Sequence, residues 1–231
     1  MGADFYIHRN TKGEASVPIL GIFDFIGVFV FALSGALAAI QRKMDVFGIY
    51  VLATVTACGG GVIRDVVMDN GIPAIFSSYT TIALIVAAAT LAIVLCAASL
   101  SGKLFRRVHW QFLMNACDAI GLAMFVVDAG VKSIRQGYNM PQFLFVSIIT
   151  GVGGGVLRDL FCQQIPVILR KEVYASAGVA GALFLWFAHP YVGMTISTYG
   201  AMAVVFLVRM ISLKYDMNLP RVEDRSLNTM P

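Results

Sequence analysis

From Asp24 to Asp65 the chain repeats itself without a gap 94 residues further on, from Asp118 to Asp159. Gly27 falls on Gly121, Phe31 on Phe125 and Thr56 on Thr150. The run Gly59-Gly60-Gly61-Val62-Ile63-Arg64-Asp65 returns as Gly153-Gly154-Gly155-Val156-Leu157-Arg158-Asp159. A one-residue slip then brings Pro73 onto Pro166. Apolar bias makes one hydrophobic segment resemble another, but it does not align aspartate, arginine and proline. The chain is internally duplicated, and any fold proposed for one copy must serve for the other.

Each copy is made of apolar runs about 20 residues long, the length that crosses a hydrocarbon core. They fall at 19–41, 46–70, 79–100, 111–133, 141–164, 173–189 and 192–213, joined by short loops with no room for a separate soluble domain. Only 13% of residues are charged and mean hydropathy is +0.80, whereas a soluble domain carries about 25% charged residues. Residues 1–18 form a polar N-terminal segment, 19–103 a first three-helix repeat, 111–189 a second, 192–213 a seventh helix and 214–231 a tail. The first apolar run exceeds 20 residues and shows no convincing cleavage site, so it reads as an uncleaved span rather than a signal peptide. The polar tail, with Pro220, reads as a loosely ordered end.

Three spans per copy is an odd number, so the second copy enters the membrane from the opposite side. The expected fold is an all-α integral membrane protein of seven transmembrane helices, a 3+3 inverted-topology repeat plus one C-terminal helix. With the N-terminus outside, the inner side holds Arg42, Lys43, Lys103, Arg106, Arg107, Arg170, Lys171, Lys214, Arg221 and Arg225. The outer side then holds only Arg9, Lys12, Lys132 and Arg135. That bias puts the C-terminus in the cytoplasm of a cell (inner) membrane protein. It also accounts for the net charge of +4 without a nucleic-acid partner.

Inverted repeats recur in transport proteins, whose broken helices meet near the bilayer midplane. Three consecutive glycines weaken a helix by roughly 1 kcal/mol apiece relative to alanine, and an arginine near the bilayer centre costs about 2.5–3.5 kcal/mol. Gly59, Gly60 and Gly61, with Gly153, Gly154 and Gly155, are therefore the predicted breaks, freeing carbonyl oxygens to face a cation. Arg64 with Asp65, and Arg158 with Asp159, lie one turn on, where an ion pair can gate the path. Counting about 1.5 Å per residue, Asp24 shares the depth of Arg64 in the outer half, and Asp118 shares the depth of Arg158 in the inner half. The expected cross-helix pairs are Asp24–Arg64 and Asp118–Arg158. The competing reading makes the triplets close-packing sites of the small-residue type and the charges structural staples.

Asp128 stands where the first copy has Ser34, as a tuner of cation access from outside or as a pore-edge or interface residue. Glu172 beside Lys171 reads as an interfacial pair. Cys58, Cys96, Cys117 and Cys162 fall in spans without ligand spacing, and His8, His109 and His189 lie at span ends. No metal site, cofactor motif or enzymatic constellation is expected.

The two Gly-Gly-Gly-x-x-Arg-Asp motifs, the Asp24-to-Gly27 and Asp118-to-Gly121 openings of spans one and four, and the proline after each motif resemble the prokaryotic trimeric intracellular cation (TRIC) channels, a family also labelled a glycine transporter family. The resemblance covers residues 19–213. It implies a homotrimer in membrane lipid, with one pore per subunit for potassium and other monovalent cations, lined by helices two and five kinked at the glycines. Carried over, the pore and gate residues are Gly59, Gly60, Gly61, Arg64, Asp65, Gly153, Gly154, Gly155, Arg158 and Asp159. One local departure is Ala129-Gly130, where the first copy has Gly35-Ala36. A carrier for a small solute such as glycine would use the same repeats, and a purely structural membrane protein would use the charges as staples.

Overall fold

The apolar runs become helices: α1 (Pro18–Gln41), α2 (Val46–Val67), α3 (Tyr79–Ser101), α4 (Trp110–Arg135), α5 (Met140–Phe161), the short α6 (Val167–Arg170) and α7 (Val173–Tyr215). The structure is a computed structural model describing residues 18–73, 76–101, 110–170 and 173–215. The polar N-terminal segment, the loop carrying Lys103, Arg106 and Arg107, the Lys171–Glu172 pair and the tail from residue 216 lie outside the described residues.

Helix ends fall at equivalent places in the two copies. After α1, Lys43 takes a positive φ of 57°, and the Asp45 carboxylate caps α2 by accepting from the Gly48 N–H at 2.7 Å. Ninety-four residues on, Gly137 has φ 73°, and the Asn139 side chain caps α5 by accepting from the Gln142 N–H at 3.0 Å. Both α2 and α5 stop three residues before the ends of their apolar runs, 46–70 and 141–164. The stop is a Schellman turn: the Asn70 N–H donates to the Asp65 carbonyl at 3.0 Å, and the Gln164 N–H to the Asp159 carbonyl at 2.9 Å. Asp69 and Gln163, equivalent polar residues, take the positive φ that each turn needs, 52° and 54°.

The 43 residues of α7 would span about 65 Å as one straight helix, twice a bilayer core. Gly193 divides it at φ 79°, ψ 162°, leaving two spans, 173–192 and 194–215. Seven crossings result, as the apolar runs require. In the first copy α1 packs against α2 and α3, and in the second α4 packs against α5 and α7. The copies join through α1 against α4 and α2 against α5. Phe31 and Phe125, equivalent residues, meet between α1 and α4 with ring centroids 5.2 Å apart.

Candidate functional site

The glycine triplets sit where α2 crosses α5. A side chain on Gly60 would land on the carbonyl oxygen of Thr150, and one on Gly154 on the carbonyl oxygen of Thr56. Gly59 faces Leu157, while a Cβ on Gly153 would lie 3.1 Å from the Gly60 Cα and 3.3 Å from the Ile63 Cδ1. Along this crossing, partner numbers fall on α5 as they rise on α2, so the two helices run antiparallel, as an inverted repeat demands. Thr56 and Thr150 donate their hydroxyls to the Leu52 and Val146 carbonyls within their own helices, at 2.7 and 2.6 Å.

The expected breaks are absent: α2 and α5 are helical through all six glycines, none of which has a positive φ. What keeps the glycines helical is the neighbouring helix. Without side chains the two backbones approach closely, and the dispersion attraction between them offsets the conformational cost of glycine. At the crossing the triplets make close contacts of the small-residue type while remaining helical.

One turn beyond the crossing, each copy places a buried arginine. Arg158 donates from Nη1 to the Asp118 carboxylate of α4 and to the Ser34 hydroxyl of α1, both at 2.7 Å, and from Nε to Asp159 at 2.9 Å. Asp159 also accepts from the Val167 N–H at 2.8 Å, tying α5 to the start of α6. The expected Asp118–Arg158 pair is present.

The expected Asp24–Arg64 pair is not. Arg64 donates from Nε to Asp65 at 2.8 Å and from Nη1 to Asp128 Oδ2 at 2.9 Å, and Lys132 Nζ meets the same Oδ2 at 2.6 Å. The repeat explains the exchange. Asp128 occupies the position of Ser34, and Ser34 is the residue that reaches across to the arginine of the other copy. Where that residue is a carboxylate, it captures the guanidinium. Asp24 is left half-buried and without an ion pair among the described residues. It lines the same small cavity as Arg64 and Asp65.

Several members of these clusters carry no signal in the repeat. Lys132 counts in the sequence as an outer loop charge, yet it is held one turn from Asp128. Ser34 is one serine in an apolar run. Arg209 lies in the seventh helix, which has no copy, and is 2% exposed, with its guanidinium carbon 4.5 Å from the centre of the Tyr174 ring. The Tyr174 hydroxyl lies beside Gly155, so the Arg158 cluster gains a ring with an arginine over it, which the Arg64 cluster lacks. Only an arginine four residues inside the end of an apolar run hints at this, and that pattern equally describes a side chain reaching for the membrane surface.

The two clusters also differ in their partners. Among the described residues, Asp65 and Asp128 pair with Arg64, Lys132 pairs with Asp128, and Asp24 lines the cavity beside them. Around Arg158 stand two carboxylates, Asp118 and Asp159, with Arg209 reaching the cluster only through the Tyr174 ring. Each cluster borders a small cavity. One of about 30 Å³ is lined by Asp24, Cys58, Gly61, Arg64, Asp65, Thr81 and Phe125 among others. The second, of about 70 Å³, is lined by Gln41, Met114, Arg158, Asp159, Cys162 and Gln164 among others. They lie on opposite sides of the glycine crossing, each large enough for one or a few waters. Among the described residues, no three histidine, cysteine or carboxylate side chains converge as metal ligands.

The model of the family described as glycine transporter matches this chain at residues 21–98 and 115–190, stretches whose starts are again 94 residues apart. A UPF0126 membrane protein of Vibrio cholerae is 35% identical over 221 residues, 92% of this chain and 87% of that protein. Among solved structures, a prokaryotic TRIC channel in 0.5 M KCl superposes with a TM-score of 0.79 at 28% identity, over 87% of this chain and 99% of that one. The TRIC trimeric intracellular cation channel orthologue of Rhodobacter sphaeroides gives a TM-score of 0.77 at 25% identity, over 86% and 99%.

Proposed function

The chain belongs to the glycine transporter family and has the fold of the prokaryotic TRIC channels; from that premise we propose that it is a homotrimeric channel for monovalent cations, chiefly potassium, with one pore per subunit. The observation that carries this reading is the pair of cavities on opposite sides of one antiparallel glycine crossing, each bordered by the Arg and Asp of the repeated motif. Those cavities are the two halves of an aqueous path, and α2 and α5 are its walls. Gly59, Gly60, Gly61, Gly153, Gly154 and Gly155 form its constriction. Arg64 with Asp65 and Arg158 with Asp159 are the charged groups that an ion passes on either side.

The conformation described is then a constricted one. Opening requires α2 and α5 to part at the glycines or the guanidiniums to leave the path. The Arg64 half faces outward and the Arg158 half faces the cytoplasm, in the orientation that the positive charges favour. Potassium is the permeant ion rather than a resident cofactor.

A carrier for glycine or a similar solute is the second reading, favoured by the family's own description. Two cavities separated by one closed crossing also suit alternating access. Purified protein in a planar bilayer under a potassium gradient separates the two. A channel gives discrete current steps that reverse near the potassium potential. Silence together with saturable solute uptake overturns the channel in favour of the carrier, and silence in both assays leaves the charges as staples.

A further inference from the structure

Two polar contacts lie outside both arginine clusters, and the repeat relates them to each other. Beyond the end of α4, Gln136 donates from Nε2 to Asn70 Oδ1 at 2.9 Å. Beyond the end of α1, Arg42 stands against Gln164. A guanidinium can only donate, so the Gln164 amide turns its oxygen toward it and accepts from Arg42 Nη2 and, at 2.9 Å, from Nε. A step of 94 residues carries Arg42 onto Gln136 and Asn70 onto Gln164. This is one contact made twice, and each time it crosses from one copy to the other.

The backbone is fixed on both sides of each contact. Arg42 and Gln136 close the last turns of α1 and α4, where their N–H groups donate to the Ala38 and Lys132 carbonyls at 3.1 and 3.0 Å. Asn70 and Gln164 complete the Schellman turns that end α2 and α5. Arg42 stands in the turn that leads into α2, so its bond to Gln164 ties the start of α2 to the end of α5. Gln136 stands in the turn that leads into α5, so its bond to Asn70 ties the start of α5 to the end of α2. Gln164 also lines the cavity of about 70 Å³ beside Arg158. Asn70 is bonded through its N–H to the carbonyl of Asp65, which lines the cavity of about 30 Å³ beside Arg64. All four residues are exposed. A bond open to water competes with water and breaks at little cost, which suits a catch better than a staple.

We infer that these contacts are two catches, one at each mouth, which hold the antiparallel helices α2 and α5 together and release independently. The Arg42–Gln164 catch is charge-assisted and holds harder than the neutral Gln136–Asn70 catch. That release gates conduction rests on the channel reading; the closure of each mouth rests on the contacts alone.

Two native cysteines report on the mouths without any current. Cys162 lines the cavity beside Arg158, and Cys58 lines the cavity beside Arg64. Purified full-length protein is treated with a charged methanethiosulfonate, and the rate at each cysteine is read by peptide mass spectrometry. Gln164→Ala should speed labelling of Cys162 about five- to tenfold and leave Cys58 unchanged, while Asn70→Ala should speed Cys58 about two- to threefold and leave Cys162 unchanged. Arg42→Gln, which gives the Arg158 side the neutral pair of the other side, should fall between the parent and Gln164→Ala. Gln164→Glu makes the pair ionic and should slow Cys162. In planar bilayers, open probability should rise in Gln164→Ala and fall in Gln164→Glu.

Unchanged Cys162 labelling in Gln164→Ala overturns the inference. So does acceleration of both cysteines by either alanine variant, the mark of a general loosening that a fall in Tm would accompany. Cysteines that respond as expected in a protein that passes no potassium current keep the catches and remove the channel reading. In a conducting protein, an open probability unchanged by Gln164→Ala overturns the gating role.

Discussion

Around Arg158, the guanidinium meets a carboxylate from α4 and a hydroxyl from α1, each at 2.7 Å. Around Arg64, the equivalent α1 carboxylate goes unused, a carboxylate from α4 takes the guanidinium at 2.9 Å, and a lysine is drawn in behind it at 2.6 Å. The backbone is the same in both places, down to matched helix caps and matched positive-φ residues. One replacement, Ser34 in the first copy against Asp128 in the second, reroutes the ion pairs and gives the two clusters different partners. Duplication conserves positions, while charge decides which positions are joined.

The largest effect should come from removing one arginine. Arg158→Ala leaves Asp118 buried and unpaired, a loss of about 3–5 kcal/mol by analogy with buried pairs in soluble proteins. Adding Asp118→Ala should recover much of it in thermal melts. In the other half the larger rescue of Arg64→Ala should come from Asp128→Ala, and Asp24→Ala should rescue less. Equal rescue by both would dissolve the contrast between the halves.

Smaller and symmetric effects belong to the crossing. Gly60→Ala and Gly154→Ala each drive a methyl into a backbone carbonyl of the other helix, worth about 1–3 kcal/mol. Both should lower conduction and melting alike. Beside them the symmetry fails: a Cβ on Gly61 meets nothing closer than Arg64 Nη2 at 3.8 Å, whereas one on Gly155 lies 3.1 Å from the Tyr174 hydroxyl. Gly61→Ala should be neutral or stabilising by up to about 1 kcal/mol, and Gly155→Ala should destabilise.

The smallest effect should be that of Tyr174→Phe. It removes a buried hydroxyl that has no hydrogen-bond partner among the described residues while keeping the ring under Arg209. Melting should hold or rise slightly. A marked loss would mean that the hydroxyl serves Asp118 directly.

Much of this fold is legible in the chain. Five of the apolar runs end at polar or glycine-containing turns, and the odd number of spans per copy requires the inversion that the antiparallel α2–α5 crossing displays. The role of the triplets is not legible, because the cost of glycine is written in its own sequence while the compensating contact belongs to another helix. The partner of Arg64 is hidden for a related reason. Counting residues gives depth along a helix, which favours Asp24, but says nothing of which neighbour arrives first from the side. The repeat holds the clue, since Asp128 occupies the place of a residue that crosses to the other copy's arginine. Arg209 and Tyr174 leave no such clue, for the seventh helix has no counterpart to compare.

The central claim, that the two halves form one cation path with the extra carboxylate, Asp128, on the Arg64 side, is tested most directly by single-channel currents in patches from giant spheroplasts, where biosynthesis fixes the orientation. A further carboxylate in the outer vestibule concentrates cations on that side, so in symmetrical potassium chloride the parent should pass larger inward than outward current. The double variant Ser34→Asp/Asp128→Ser moves the extra carboxylate across the pseudo-twofold relation and should reverse the asymmetry. A variant that conducts with the parent's rectification unchanged would contradict the account.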